Sequence, residues 1–192
     1  ERAASERSAA RAAHPSTGTV PVVAPAGEDA PAAVAERVLL RKLRTRSLSI
    51  REARSVLTEH DLDEADREGI VERFLSLGYL DDAALAEQLI DKATSRKAQG
   101  RMAIAQGLSQ RGIPREVIDE ALDQLPDDEA ERALEFARSK ARGLDGLDRD
   151  TALRRLAGQL ARRGYGSVAL SMARRALDEA SAPPRHGVRF EP

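Results

Sequence analysis

The sequence predicts an all-α protein built as three tandem three-helix repeats that form an elongated, curved array. Apolar residues recur at helical intervals, helix start and stop signals are frequent, and the apolar pattern returns at a shift of about 51 residues. No segment carries the alternation of a half-buried strand. Hydrophobic residues make up 41% of the 192-residue chain and aromatics only 3%, with no Trp. The core must therefore be Leu, Ala, Ile and Val, and the abundant Leu and Ala are strong helix formers.

Residues 1–30 are Ala-, Ser-, Pro- and Gly-rich and read as a disordered leader. Pro31 suits a first helical position, and Val34, Val38 and Leu39 follow at helical spacing. Ser49 with Glu52 forms a capping-box signature ahead of Ala53, Val56 and Leu57. Asp63 caps a helix through Ile70, Val71, Phe74 and Leu77, which Gly78 stops. Asp81 caps the next, with Leu80 placed outside it as a hydrophobic staple and Leu85, Leu89 and Ile90 along its face. Gly100 breaks that helix, and another runs through Ile104 and Leu108 to Gly112. Pro114 opens a helix containing Val117, Ile118 and Leu122, and Pro126 closes it. Asp127 is expected to cap a helix through Leu134 and Ala137. After a loop from Gly143 to Asp148, a helix carries Leu153, Leu156 and Leu160 to Gly164. Ser167 is expected to cap the last helix, and residues 181–192 read as a loose tail.

A shift of 51 residues places Leu57 on Leu108, and a further 52 places Ile104 on Leu156, Leu108 on Leu160 and Gly112 on Gly164. The turns Arg111-Gly112-Ile113 and Arg163-Gly164-Tyr165 repeat with the apolar frame. The expected units are residues 31–78, 79–125 and 126–180. A small helical unit cannot bury its apolar stripe alone, so neighbours stack. Charge follows the same period: basic bands around Arg37 to Arg54, Lys92 to Arg115 and Arg154 to Arg163 alternate with acidic runs such as Glu116, Asp119, Glu120 and Asp123. Such segregation predicts two faces of opposite sign on a chain whose 31 basic and 32 acidic residues nearly cancel.

Chemistry is not expected. The chain has no Cys, which removes disulfides, thiolate metal sites and cysteine nucleophiles. His14, His60 and His186 have no metal-ligand spacing, and His60 reads as a residue at a helix C-terminus. The pairs Asp81-Asp82 and Asp127-Asp128 read as helix caps rather than catalytic acids. No glycine pattern forms a phosphate loop, so neither enzyme nor cofactor is predicted. No run reaches the length of a membrane span, and the leader lacks the apolar core of a secretory signal; the cytoplasm is the expected compartment.

The segment Leu77-Gly78-Tyr79-Leu80-Asp81-Asp82, with Ala86 beyond it, resembles the signature of the RecX family of bacterial recombination regulators. Gly100-Arg101, Ile104, Leu108 and Arg111-Gly112-Ile113 form a second match, and Arg155-Leu156-Ala157 with Leu160-Ala161-Arg162-Arg163-Gly164-Tyr165 a third. The resemblance spans residues 35–180 and leaves the leader outside. It implies three three-helix repeats without catalytic residues, and a modulator that lies along the groove of the RecA–DNA filament and inhibits its ATPase and recombinase activities. Leu85 stands where the family usually has Phe, Met102 and Ala103 where basic residues follow Gly100-Arg101, and Gly107 where an acidic residue precedes Leu108.

The expected partners are the RecA filament and DNA, single-stranded first and double-stranded as a further case, bound by a monomer. The expected contacts are Arg44, Arg46, Arg51, Arg54, Arg96, Lys97, Arg101, Arg111, Arg155, Arg162 and Arg163. Arg51 with Arg54, and Arg155 with Arg162, are spaced to share a helical face. The alternative is a stand-alone nucleic-acid-binding module, whose affinity would fall steeply with salt. A protein-only helical scaffold would ignore DNA altogether.

Overall fold

A computed structural model describes residues 30–181 of the chain. The expected leader and tail, with His14 and His186, lie outside those residues apart from Ala30 and Ser181. The described residues form nine α-helices and one 3-10 turn, and no strand. The helices are α1 (Pro31–Thr45), α2 (Ile50–Leu57), α3 (Glu64–Ser76), α4 (Asp82–Ser95) and α5 (Arg101–Gln110). They continue with α6 (Arg115–Asp123), α7 (Glu129–Ala141), the 3-10 turn Arg142–Leu144, α8 (Arg149–Arg162) and α9 (Ala169–Ser181).

Local chemistry sets most helix starts. Pro31 opens α1, where its missing N–H costs nothing. At α2 the Ser49 hydroxyl accepts the Glu52 N–H while the Glu52 carboxylate accepts the Ser49 N–H, a complete capping box. Asp63 and Asp81 cap α3 and α4, and Asp148 caps α8. The cap expected of Asp127 is not formed. Asp128 holds the N-cap position of α7 with ψ near 14°, so its carboxylate is not aimed at the first-turn amides and pairs with Arg132 instead. Nor does Ser167 start α9 directly: residues 166–168 form a turn, and the Val168 carbonyl accepts the Met172 N–H.

The helices pack into groups, α1–α3, α4–α6 and α7–α9, each with its own core, in an elongated all-α body. Leu57, Leu108 and Leu160 stand in the middle helix of each group at 0%, 1% and 0% exposure. Ala53, Ile104 and Leu156, one turn earlier, are also buried. Each such leucine contributes about 1.5–3 kcal/mol through burial of its side chain. Leu80 does not staple α4; it packs into the first core with Phe74 and Leu39.

Three helices end in the same turn. Gly78, Gly112 and Gly164 adopt φ of 70°, 83° and 89°. Each donates its N–H three residues back, and the following residue donates five back: Tyr79 to Phe74, Ile113 to Leu108 and Tyr165 to Leu160. This is the Schellman arrangement, which satisfies carbonyls the helix leaves open. The repeated Arg-Gly-apolar turns thus end α5 and α8 in the same way that Gly78 ends α3. Gly100 is different: its φ of −82° suits any residue, and it is required by close approach, since a Cβ would lie 2.5 Å from the Gly164 carbonyl oxygen.

Candidate nucleic-acid interface

Most of the expected contact arginines lie near two joints between the helix groups, and the joints share one design. In each, the Arg-Gly-apolar turn after the middle helix of one group sits on the start of the preceding group's middle helix. At the first joint the Ser49 hydroxyl donates to the Arg111 carbonyl at 2.6 Å; at the second the Gly100 N–H donates to the Arg163 carbonyl at 2.8 Å. The first amide of α2, on Ile50, donates to the Asp82 carboxylate at 3.0 Å, and that of α5, on Arg101, donates to Glu129 at 2.8 Å. Asp82 and Glu129 are the first residues of α4 and α7. A carboxylate from the next group thus neutralises the positive end of the helix before it.

The joints differ in electrostatics. At the first, Arg111 makes a bidentate pair with Glu52, both contacts 2.9 Å, and Arg46 approaches Glu52 at 3.1 Å. Burial disfavours the Glu52 charge, but hydrogen bonds from Arg111, the Ser49 amide and Arg46 outweigh it and lower the pKa from 4.5 to about 2. Asp82 is the reverse: burial, with Asp81 and Glu52 nearby, pushes its pKa up despite the Ile50 hydrogen bond. Its Oδ2 is buried without a partner among the described residues. The second joint relies on backbone proximity, with Gly164 against Ala103 and the Arg163 guanidinium on the Lys97 carbonyl and 4.2 Å over the Phe136 ring.

Several expected contacts therefore have structural partners. Arg51 donates to the Gln110 carbonyl at 3.0 Å, across the joint, at the negative end of α5. Arg54 pairs with Glu68 through two 2.8 Å contacts, so Arg51 and Arg54 do not form one open face. Arg101 donates to the Leu122, Leu125 and Pro126 carbonyls, closing the end of α6. Arg44, Arg96, Lys97, Arg155 and Arg162 are exposed and form no ion pair among the described residues.

Among the described residues, unpaired cations lie on α1, as Arg37, Arg41, Lys42 and Arg44, and again along α8 and the end of α4, where they border hollows. Lys92, Lys97 and Arg162 line a cleft of about 400 Å³ between α4, α5 and α8. Arg162 also lines a neighbouring hollow with Arg154 and Arg155, and no carboxylate lines either. Lys92 and Arg154 belong to the basic bands of the sequence but were not among the expected contacts. Band membership alone does not separate a cation over a cleft from one bound to a carbonyl. No group of His, Asp and Glu among the described residues could hold a metal ion. No helix among them is long and apolar enough to cross a membrane.

The model of the second three-helix domain of RecX matches residues 81–122, which span α4–α6 but for the last residue of α6. The regulatory protein RecX of Streptomyces coelicolor is 34% identical, with 81% of this chain and 84% of that protein aligned. The regulatory protein RecX of Mycolicibacterium smegmatis is 35% identical over 68% of this chain and 72% of that protein. The crystal structure of RecX from Lactobacillus salivarius superposes with a TM-score of 0.70 at 18% identity, covering 78% of this chain and 97% of that one. A second crystal structure, of a regulatory protein RecX, gives 0.66 at 25% identity, covering 76% and 73%.

Proposed function

This chain belongs to the RecX family of bacterial regulators of RecA, and on that premise we propose that it binds the RecA–DNA filament and inhibits its recombinase and ATPase activities. It is a regulatory protein rather than an enzyme, and in this reading it modulates recombination and repair by occlusion. The helix groups act as tandem repeats at residues 31–78, 79–125 and 126–180, spanning adjacent RecA protomers as a monomer. The observation that carries the reading is the run of unpaired cations along α8, Arg154, Arg155 and Arg162, with no carboxylate lining the hollow they share. Such a face suits phosphates, and would turn toward the DNA-bearing groove.

The test is titration into preformed RecA–single-stranded DNA filaments while ATP hydrolysis is followed, with binding to free DNA in parallel. Hydrolysis should fall as the chain saturates the filament. The double reversal R154E/R155E should weaken filament and free-DNA binding by about tenfold and make both less salt-dependent. Unchanged hydrolysis at saturation would refute the filament reading. Tight binding to free DNA without effect on filaments would favour a stand-alone nucleic-acid-binding module.

A further inference from the structure

We propose that the cleft between α4, α5 and α8 is a docking site for an acidic peptide segment carrying a large apolar side chain, presented by a protein partner. The proposal deepens the filament reading and rests on it only in taking the partner to be a protein. Lys92 and Lys97 supply positive charge with no lining carboxylate to answer it, so the complementary occupant is acidic. The lining also includes the partly exposed Leu89 and Ala103, which offer nothing to a phosphate but suit an apolar side chain. No aromatic residue lines the cleft on which a base could stack. Gln106 and Gln110 add amide donors and acceptors of the kind that pair with peptide groups.

Gly107 is the independent observation. It lies within α5 on the cleft wall, its φ is not positive, and a Cβ there would meet nothing within 4 Å. Neither backbone geometry nor packing calls for glycine, and alanine would hold the helix better. What glycine provides is a wall open to the level of the backbone, against which an incoming segment can lie.

The test pans a phage-displayed library of random short peptides against the full chain, then titrates synthesised winners by fluorescence anisotropy. Enriched peptides should place Asp and Glu beside a Leu, Phe or Met. Their affinity should fall by about tenfold or more in K92E/K97E and in G107L. G107A should bind more weakly than the parent but better than G107L, and should unfold at a higher temperature. Absence of enrichment, peptides without acidic bias, or unchanged affinity in K92E/K97E would each overturn the proposal. Displacement of bound peptide by a single-stranded oligonucleotide would also overturn it, assigning the cleft to nucleic acid. If G107L does not fold, the surface double variant carries the result. Filament ATP hydrolysis is a separate measurement, so loss of the peptide site and loss of the filament reading are told apart.

Discussion

Glu52 and Asp82 face the same joint and respond to pH in opposite directions. The Glu52 pKa is about 2 in the fold against an ordinary 4.5, so its ionised form is the one the fold favours. Its contribution is complete above the unfolded value, near pH 5, and is lost as pH falls toward 2. The difference corresponds to roughly 3 kcal/mol, an upper bound because the side chain is 23% exposed. Glu52→Gln should lower urea stability at neutral pH and flatten the acid limb of the stability profile between about pH 5 and 2. An unchanged acid limb would show that the Arg111 pair contributes nothing. The raised pKa of Asp82 has the other sign: its contribution is present at low pH and lost as pH rises through the folded value. Asp82→Asn keeps an acceptor for the Ile50 N–H without a buried charge, so it should cost little at neutral pH. Asp82→Ala should cost about 1 kcal/mol by leaving that amide unsatisfied. Equal losses in the two variants would mean that the joint needs the charge and not the acceptor.

The Schellman turns can be ranked at the level of the helical element. All three glycines have left-handed backbones, where any side chain costs about 1 kcal/mol. At Gly78 nothing else stands in the way, so Gly78→Ala should lose about that much. A Cβ at Gly112 would lie 2.0 Å from Arg51 Nε, on a flexible side chain that can move at the expense of its hold on α5. A Cβ at Gly164 would lie 2.3 Å from the Ala103 backbone nitrogen, which cannot move without displacing α5. Gly164→Ala should therefore be the worst of the three, at about 3 kcal/mol or more, with Gly112→Ala between. Thermal unfolding of the set measures the order, and equal losses would show that the joints do not press on the turns. The capping residues were legible for similar local reasons, as at Ser49, Asp63 and Asp81. Asp127 misled because the helix starts one residue later than expected, and Asp128, which holds the N-cap, lacks the extended backbone that aims a carboxylate at the first amides; residue identity sets neither.

Across the whole molecule, the separate cores predict that a joint can fail without any group unfolding. Arg111→Ala removes the bidentate pair with Glu52 and the contact with the Ser47 carbonyl, while Leu108 and Ile113 keep the second core closed. The expected result is a larger radius of gyration by small-angle scattering and faster amide exchange around Ser49 to Glu52, at near-native helix content. An unaltered radius and exchange pattern would mean that the remaining contacts hold the first joint by themselves. If the chain bridges RecA protomers, the same variant should inhibit ATP hydrolysis less, because bridging requires a fixed distance between repeats.

The sequence by itself determined the all-α class, the order of the helices, the recurring buried leucines and the left-handed glycines. Each depends on residues within a turn or two, where spacing, capping and φ preference act without knowledge of the rest of the chain. Only the tertiary structure decided the fate of the arginines. A guanidinium on a long side chain serves equally as a solvated charge, an ion-pair partner or a cap for distant carbonyls. Arg111 reads like Arg162 in the sequence, yet Arg111 reaches Glu52, 59 residues away, while Arg162 stays over an open cleft. The same holds for Asp82, which looks like a cap for its own helix and instead accepts the first amide of α2. Those assignments follow from which surfaces meet at the joints, a relation between groups distant in the chain that no local pattern encodes.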